Sequence, residues 1–334
     1  MLILSPHQLL FSSTLFLGIF ITVSSSSWFM LWMGLELNLM SFVPILTSTS
    51  NRYSAESALK YFLIQALGSA FFLGAAPISM LMYSFMFPII LMVLLLKMGA
   101  APFHFWFPPV MQGIQWPQAL LLMTIQKIAP ISMMSVVLSG ANSIVVIMAS
   151  IFSSLVGGLS GLNQTLTRKI LSYSSINHMG WMLGAITFNE PLWIIYFSSY
   201  SIVSSSVVFI LHSNQIFHIN QILVMNLFSK PLKLSLFLSL LSLGGLPPLL
   251  GFLPKMMVIQ EFINSKASLL WLSILLLSAL LTLFFYLRVA VSSFMLSYPK
   301  MKMNMSPTQP RLTFTMSFIN LSPLLYPLVL IAIY

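Results

Sequence analysis

Charged side chains interrupt some of the most apolar stretches of this chain, and they are its candidates for chemistry. Only 5% of the 334 residues are charged. A charge at the centre of a bilayer costs roughly 2.5–3.5 kcal/mol on insertion scales, and residues of this kind usually serve a proton or ion path. The pattern therefore indicates a protein that moves protons across a membrane. The charges concerned are Glu36, Lys60, Lys97, Lys127 and Lys255.

Buried lysines are suited to carrying protons. Loss of hydration disfavours the charged amine, so a buried lysine can take up and release a proton near neutral pH. We expect Lys97 and Lys127 to act in this way, and Lys255, in GFLPKMMVIQEF, to be the exit-side carrier. A carboxylate at Glu36 must be neutral or paired, and contact with Lys97 would keep that lysine charged until the contact is lost. The alternatives are a structural ion pair at Glu36 and lysines that extend to the membrane surface.

Two histidines and a second lysine remain open to more than one interpretation. Histidine titrates near neutral pH and can pass protons between lysines through water. His104, in PFHFW, and His178, in YSSINHMGW, are candidates for that role, although a lone helical histidine is more often a hydrogen-bonded core residue. Glu56 and Lys60 are four residues apart, which favours a structural helix pair. A side relay through Lys60 is the alternative.

The elements that must position these residues are membrane helices. The chain is 58% hydrophobic with a mean hydropathy of +0.99, whereas a soluble domain carries about 25% charged residues. We therefore predict an all-α polytopic membrane protein with about eleven spans. Their limits are roughly 6–23, 27–47, 56–78, 80–112, 117–139, 142–163, 168–187, 191–212, 232–265, 268–291 and 313–333.

Two of these spans are interrupted by glycine and proline. They read LLLKMGAAPFHFWFPP and SLGGLPPLLGFLPK. A break in a helix leaves backbone N–H and C=O groups without helical partners, and such groups are tolerated in a membrane only where protein or water covers them. The breaks fall in the fourth and ninth spans, a pattern typical of inverted repeats around a transport path. We predict two inverted five-helix repeats over 1–140 and 141–292, followed by a loop and a C-terminal helix over 293–334. Re-entrant loops or ordinary kinks are the alternative.

Charges in the loops predict the orientation, and the composition excludes several classes of protein. Basic residues concentrate on the N-terminal side, which places the N-terminus on the side of synthesis and the C-terminus opposite. The net charge of +10 is scattered, which argues against nucleic-acid binding. The absence of cysteine excludes thiolate-bound zinc and iron–sulfur clusters, so no redox centre is expected in this chain. The basic residues in the loops on the N-terminal side are Arg52, Arg168, Lys169, Lys230, Lys233, Lys300, Lys302 and Arg311, whereas the basic residue in the opposite loops is Lys266.

Four segments carry a resemblance to a known family. They read KMGAAPFHFWFP, QKIAPISM, GGLSGLNQTLTRKILSYSSINHMGWM and LSLGGLPPLLGFLPK. They are similar to the antiporter-like membrane subunits of respiratory complex I, and the similarity runs over nearly the whole chain. The span count matches the short animal form of that family, which lacks the first three helices of the bacterial proteins. The short, methionine-rich chain resembles an arthropod version.

The resemblance implies a membrane-arm subunit of the proton-pumping NADH:ubiquinone reductase in the inner mitochondrial membrane. Its N-terminus would face the matrix and its C-terminus the intermembrane space. This chain has counterparts of the family's intramembrane glutamate and of its axial histidines. It also has counterparts of the family's lysines at the two broken helices and on the helix that follows the first of them. The residues that the resemblance assigns to the proton relay are Glu36, Lys97, Lys127, Lys255, His104 and His178.

The resemblance also implies what surrounds the chain. Flavin, iron–sulfur clusters and ubiquinone would belong to other subunits, with no cofactor in this one. The partners would be the other core and accessory subunits, including a neighbouring antiporter-like subunit and the small membrane subunits, together with phospholipids. Two alternatives stay open at this point. One is an independent cation/proton antiporter, and the other is a membrane scaffold that conducts no protons.

Overall fold

Long apolar helices make up much of the part of the chain that the structure describes. The computed structural model describes residues 6–47, 51–79, 83–138, 143–224, 230–247 and 249–295. Because seven helical stretches there are long and apolar enough to cross a membrane, the predicted class, an all-α polytopic membrane protein, is confirmed. The eleventh predicted span, 313–333, lies outside the described residues. The seven stretches are Pro6–Ser24, Trp28–Thr47, Arg52–Ile78, Trp116–Leu138, Ile144–Gly161, Glu190–Ser213 and Leu269–Val291.

The chain forms two compact units, Met1–Ser153 and Ser154–Tyr334. In the first unit α1 packs along α2, and α3 packs against both α2 and α4. The described helices from the N-terminus onward are α1 (Pro6–Ser24), α2 (Trp28–Thr47), α3 (Arg52–Ser79), α4 (Tyr83–Met98), α5 (Phe107–Gly113), α6 (Trp116–Met123), α7 (Ile125–Leu138) and α8 (Ser143–Gly161), which continues past Ser153.

The first break follows the end of α4. Gly99 adopts a φ of 71°, and its N–H donates to the Leu96 carbonyl at 3.1 Å while Ala100 N–H donates to Leu95 at 3.1 Å. This pair of bonds is the Schellman motif, in which a glycine in the left-handed region ends a helix and satisfies two of its last carbonyls. A short 3-10 helix, His104–Trp106, then leads into α5.

A third interruption, which the sequence did not predict, separates α6 from α7. Thr124 has φ −114° and ψ −78°, and its hydroxyl donates to the Leu120 carbonyl at 2.7 Å. Threonine hydroxyls that bond back to the preceding turn compete with regular helix geometry. The interruption lies three residues before Lys127, whose N–H donates to the Thr124 carbonyl at 3.0 Å.

The second unit contains α9, which is buried over most of its length and packs against α10, α13 and α14. A Cβ on Gly157 of α8 would lie 2.6 Å from the Asn177 backbone nitrogen, so α8 and α9 pack closely at this glycine. The remaining helices are α9 (Thr167–Phe188), α10 (Glu190–Ser213), α11 (Ile219–Val224), α12 (Lys230–Gly244), α13 (Phe252–Asn264) and α14 (Leu269–Met295).

The second break, between α12 and α13, repeats the geometry of the first. Gly245 adopts a φ of 79°. Its N–H donates to the Ser242 carbonyl at 3.0 Å, and Leu246 N–H donates to Leu241 at 3.3 Å, which again forms a Schellman motif. Gly251 passes so close to the Ser242 carbonyl that a Cβ there would overlap it.

Candidate functional site

The first unit brings two of the predicted lysines to one small cavity. Lys97 and Lys127 are 7% and 2% exposed, and both line a cavity of about 20 Å³. A single water needs at least about 10–15 Å³, so the cavity has room for about one water molecule. The other lining residues are Leu35, Asn38, Leu39, Tyr61, Gln65, Met98, Trp106, Phe107, Leu122, Gln126 and Pro130.

The end of α4 positions Lys97. The lysine occupies the last turn of that helix, just before the glycine of the first break. Its carbonyl accepts a hydrogen bond from Gln65 Nε2 at 3.2 Å, and Trp106 Nε1 donates to the carbonyl of Leu96 at 3.0 Å. The Gln65 amide thus binds a carbonyl that the helix end leaves without an intrahelical partner. Trp106 adds a second donor to the Leu96 carbonyl, which already accepts from Gly99 N–H.

An aromatic ring positions the ammonium of Lys127. Lys127 Nζ lies 4.9 Å from the centroid of the Phe107 ring, and Phe107 is the first residue of α5. A cation over an aromatic face is stabilised by the ring quadrupole, most strongly where water is excluded. The first break therefore contributes directly to the environment of Lys127.

Glu36 lies near this cluster without direct contact with its lysine. It is half-buried on α2, and its carboxylate acts electrostatically on Lys97. Within the described part of the chain the ion pair at contact distance is Glu56–Lys60, and Glu36 forms none with Lys97. Direct contact between Glu36 and Lys97, which the sequence led us to expect, is therefore not made in this structure.

His104 is placed at the break but apart from the cavity. It lies in the 3-10 helix and is 8% exposed, with its ring centroid 4.3 Å from that of Phe105. It is not among the residues that line the cavity of Lys97 and Lys127. The structure thus brings two lysines together and leaves this histidine at their periphery.

In the second unit Lys255 reaches back across the second break. It is 6% exposed, and its Nζ donates to the Gly244 carbonyl, the last of α12, at 2.8 Å. The same ammonium lies 5.8 Å from the ring centroid of Trp181. The C-terminal end of a helix carries partial negative charge, so α12 favours a cation at this point.

His178 faces the same break from α9. Its Nδ1 lies 2.9 Å from the Tyr196 hydroxyl, and its ring centroid lies 5.0 Å from that of Tyr200. These three residues share a cavity of about 10 Å³ with Gly251 and Pro254, among others. That cavity is at the lower limit for one water.

Other polar residues near the broken helices or on α3 have local partners. Glu56 and Lys60 form the predicted pair on α3 at 2.6 Å, with both side chains about half exposed. The hydroxyls of Ser174 and Ser175 donate to carbonyls of their own helix at 2.8 and 2.7 Å. The described residues contain no group of three or more histidine, aspartate or glutamate side chains placed to hold a metal ion.

The neutral amides around the lysines are the residues that sequence reasoning missed. Asn38, Gln65 and Gln126 all line the first cavity, and the Tyr61 hydroxyl donates to Gln126 Oε1 at 3.1 Å. Their only sequence signal is position, since Gln126 precedes Lys127 and Asn38 lies two residues after Glu36.

Buried lysines beside broken membrane helices define a class of membrane protein that transports protons or cations. Residues 25–86 and 75–284 match the family described as NADH:quinone oxidoreductase/Mrp antiporter, TM. The chain belongs to this family.

Relatives narrow the assignment within the family. The chain is 44% identical over 330 residues to NADH-ubiquinone oxidoreductase chain 2 of Anopheles gambiae, covering 94% of this chain and 95% of that one. It is 42% identical over 294 residues to the same protein of Locusta migratoria, covering 86% and 85%. The resemblance to antiporter-like membrane subunits of complex I is therefore confirmed, with insect proteins among the relatives.

Solved structures share the fold. A chain of respiratory complex I from Thermus thermophilus, determined with bound aureothin, superposes with a TM-score of 0.84 at 26% identity, covering 97% of this chain and 79% of that one. A chain of the Mrp complex from Dietzia sp. DQ12-45-1b superposes with a TM-score of 0.73 at 16% identity, covering 85% and 59%. The second likeness is one of fold alone.

Proposed function

We propose that this chain is a proton-translocating membrane-arm subunit of NADH-ubiquinone oxidoreductase, respiratory complex I. The observation that carries the proposal is the 44% identity to a chain 2 protein over 94% of the sequence. The protein is accordingly a multi-pass protein of the inner mitochondrial membrane and part of a proton-translocating oxidoreductase. Flavin, iron–sulfur clusters and ubiquinone are assigned to other subunits. The partners are other core and accessory subunits of the complex, a neighbouring antiporter-like subunit among them, and phospholipids.

Within that function we assign a proton relay to the buried residues. The support in the first unit is the shared cavity of Lys97 and Lys127. Two ammonium charges that line one buried cavity repel each other more strongly than they would in water. The state in which both lysines are charged is therefore disfavoured. Binding of a proton to one lysine favours release of the proton from the other.

The remaining relay residues have separate roles. Glu36 acts as the switch. Its carboxylate attracts the Lys97 ammonium, and in direct contact it would stabilise the charged state of Lys97 more strongly. His104 extends the relay from the first break. In the second unit Lys255 and His178 lie at the other break and complete the proposed set. Redox energy released elsewhere in the complex reaches this chain as a change of charge or hydration at these groups.

We also propose eleven spans in two inverted five-helix repeats, with the N-terminus in the matrix. Each unit contains a helix that ends at a left-handed glycine, Gly99 in one and Gly245 in the other. Equivalent broken helices in two halves are typical of transporters built from inverted repeats. Basic residues of the N-terminal-side loops support the orientation.

The test is proton translocation per NADH oxidised in sealed membranes that contain complex I with Lys127→Met, with the oxidation rate measured in parallel. We expect both to fall in the assembled complex if proton transfer and redox chemistry are tightly coupled. A lower proton ratio at an unchanged rate would make the chain a separable pump. The control is Lys60→Met, which removes an exposed lysine of a helix pair.

Two outcomes would contradict the proposal. If Lys127→Met changes neither quantity, the chain is a scaffold that carries no protons. If the chain is found outside any NADH-oxidising complex and exchanges a cation for protons, it is an independent antiporter. The fold likeness to the Mrp complex chain, at 16% identity, does not favour the latter.

A further inference from the structure

Two buried polar atoms at the lysine cavity of the first unit have no hydrogen-bond partner within the described residues. They are Asn38 Oδ1 and Gln126 Nε2. Asn38 is 4% exposed and Gln126 is 8% exposed. An unsatisfied buried donor or acceptor is destabilising, and here an acceptor and a donor line the same cavity as Lys97 and Lys127.

The orientation of the Gln126 amide is fixed from its other side. The Tyr61 hydroxyl donates to Gln126 Oε1 at 3.1 Å, which leaves the amide nitrogen as the donor toward the cavity. Tyr61 is itself held in edge-to-face contact with Phe42 and Trp106, at centroid distances of 5.2 and 5.8 Å. The donor is therefore held by packed aromatic rings and not by a flexible surface contact.

We propose that Asn38 and Gln126 are positioning residues that bind one water molecule between Lys97 and Lys127, and that protons pass between the two lysines through this water. The inference deepens the proposed relay and rests on it. The cavity of about 20 Å³ has the volume for one water, and a buried water typically makes two to four hydrogen bonds to otherwise unsatisfied groups.

The four groups match the bonding capacity of one water. The water accepts from Gln126 Nε2–H and from protonated Lys97, and it donates to Asn38 Oδ1 and to the lone pair of neutral Lys127. In the transfer an N–H bond of Lys97 breaks as an O–H bond forms. An O–H bond of the water breaks as an N–H bond forms on Lys127. The water is regenerated, and one positive charge has moved from Lys97 to Lys127.

Neutral amides suit this position for a chemical reason. An amide side chain offers a donor and an acceptor but does not ionise in the working pH range. Asn38 and Gln126 can therefore orient a water molecule without competing for the proton that it carries. A carboxylate in either place would add a charge beside the lysines and trap the cation.

The experiment replaces each amide by an apolar residue of similar size, as Asn38→Leu and Gln126→Met, in the whole complex. The measurement is NADH oxidation coupled to proton translocation, per assembled complex, in H₂O and in D₂O. We expect a fall of roughly tenfold in the coupled rate, the scale of one lost hydrogen bond. We also expect a larger solvent isotope effect, because proton transfer becomes rate-limiting.

The matched control is Gln118→Met. Gln118 is a buried glutamine of α6 whose amide donates to the Ile45 carbonyl at 2.6 Å, and it does not line the cavity. This change is expected to lower the amount of assembled complex while leaving the isotope effect per complex as it was. A purely structural role for Gln126 would give the same result as the control.

The outcomes separate this inference from the proposed function. If Lys127→Met abolishes pumping but both amide variants keep the native rate and isotope effect, the inference is overturned and the relay stands. If Lys127→Met has no effect, the relay itself fails. Should the amide variants not assemble, cryo-electron microscopy of the native complex decides. Density for a water between Asn38 and Gln126 supports the inference, and its absence where other buried waters of the membrane arm are seen overturns it.

Discussion

At the scale of single residues, the three buried lysines are stabilised in three different ways. Lys127 has the face of Phe107, Lys255 has the last carbonyl of α12, and Lys97 has the longer-range attraction of Glu36. Each lysine must exist in both charge states if it carries protons. The stabilisation of the charged state is therefore the quantity that a substitution at these sites would change.

Replacing Phe107 by leucine removes the aromatic face beneath Lys127 but keeps an apolar side chain. A desolvated cation–π contact contributes about 0.5–2 kcal/mol, so we expect the charged state of Lys127 to be less favourable and coupled NADH oxidation to slow several-fold. The measurement is the coupled rate per assembled complex. Phe105→Leu is the control, since Phe105 is 77% exposed. Equal effects from the two substitutions would count against a role for the ring.

The sequence predicted the charged residues of the site and missed the neutral ones for a physical reason. A lysine in an apolar helix is costly enough to stand out, whereas an asparagine or glutamine is common and its environment depends on which face is buried. Leu35, Asn38 and Leu39 line the cavity together, which is the spacing of one helix face. That face could be recognised only once the partner helices were known.

At the scale of elements, glycine determines where the two broken helices end. The sequence predicted both breaks from their glycine and proline content, and Gly99 and Gly245 supply the left-handed conformation that each ending requires. The break at Thr124 had no such signal, because threonine is tolerated within helices and its effect depends on a hydroxyl bond to Leu120. Short-range composition therefore predicts two of the three interruptions.

Adjacent glycines at the end of α12 provide a matched pair of substitutions. A Cβ on Gly245 would lie 2.9 Å from Lys255 Nζ, whereas a Cβ on Gly244 would meet nothing closer than 3.6 Å. Gly245→Ala also places an L-residue in the left-handed region, at a cost of about 1–2 kcal/mol. We expect Gly245→Ala to lower both the thermal stability of the complex and proton translocation.

Gly244→Ala is the control for this prediction. Alanine favours a helix over glycine by about 0.8–1.0 kcal/mol, so the substitution should leave stability unchanged or slightly increased. Thermal unfolding of the assembled complex and proton translocation per NADH measure the two effects. Equal sensitivity at both positions would show that the contact of Gly245 with Lys255 has no special role.

At the scale of the whole molecule, each compact unit contains a broken helix and a buried lysine beside it. The residues assigned to the relay are divided between the units, with Lys97 and Lys127 in the first and Lys255 and His178 in the second. Either the two units serve one proton path in series, or each serves a path of its own. Kinetic coupling between substitutions distinguishes these arrangements, because residues that act in one chain of steps give non-additive effects.

The decisive variant combines Lys127→Met with Lys255→Met. If both lysines lie on one path, blocking it once already abolishes transfer, and the double variant should pump no less than the more severe single variant. The quantities to compare are the coupled oxidation rate and the protons translocated per NADH for the two single variants and the double variant. Lys60→Met combined with Lys127→Met is the control, because the exposed Lys60 should add nothing. If the fractional losses of the two single variants multiply in the Lys127 and Lys255 double variant, the two units carry protons independently. The proposed relay would then consist of two separate proton paths.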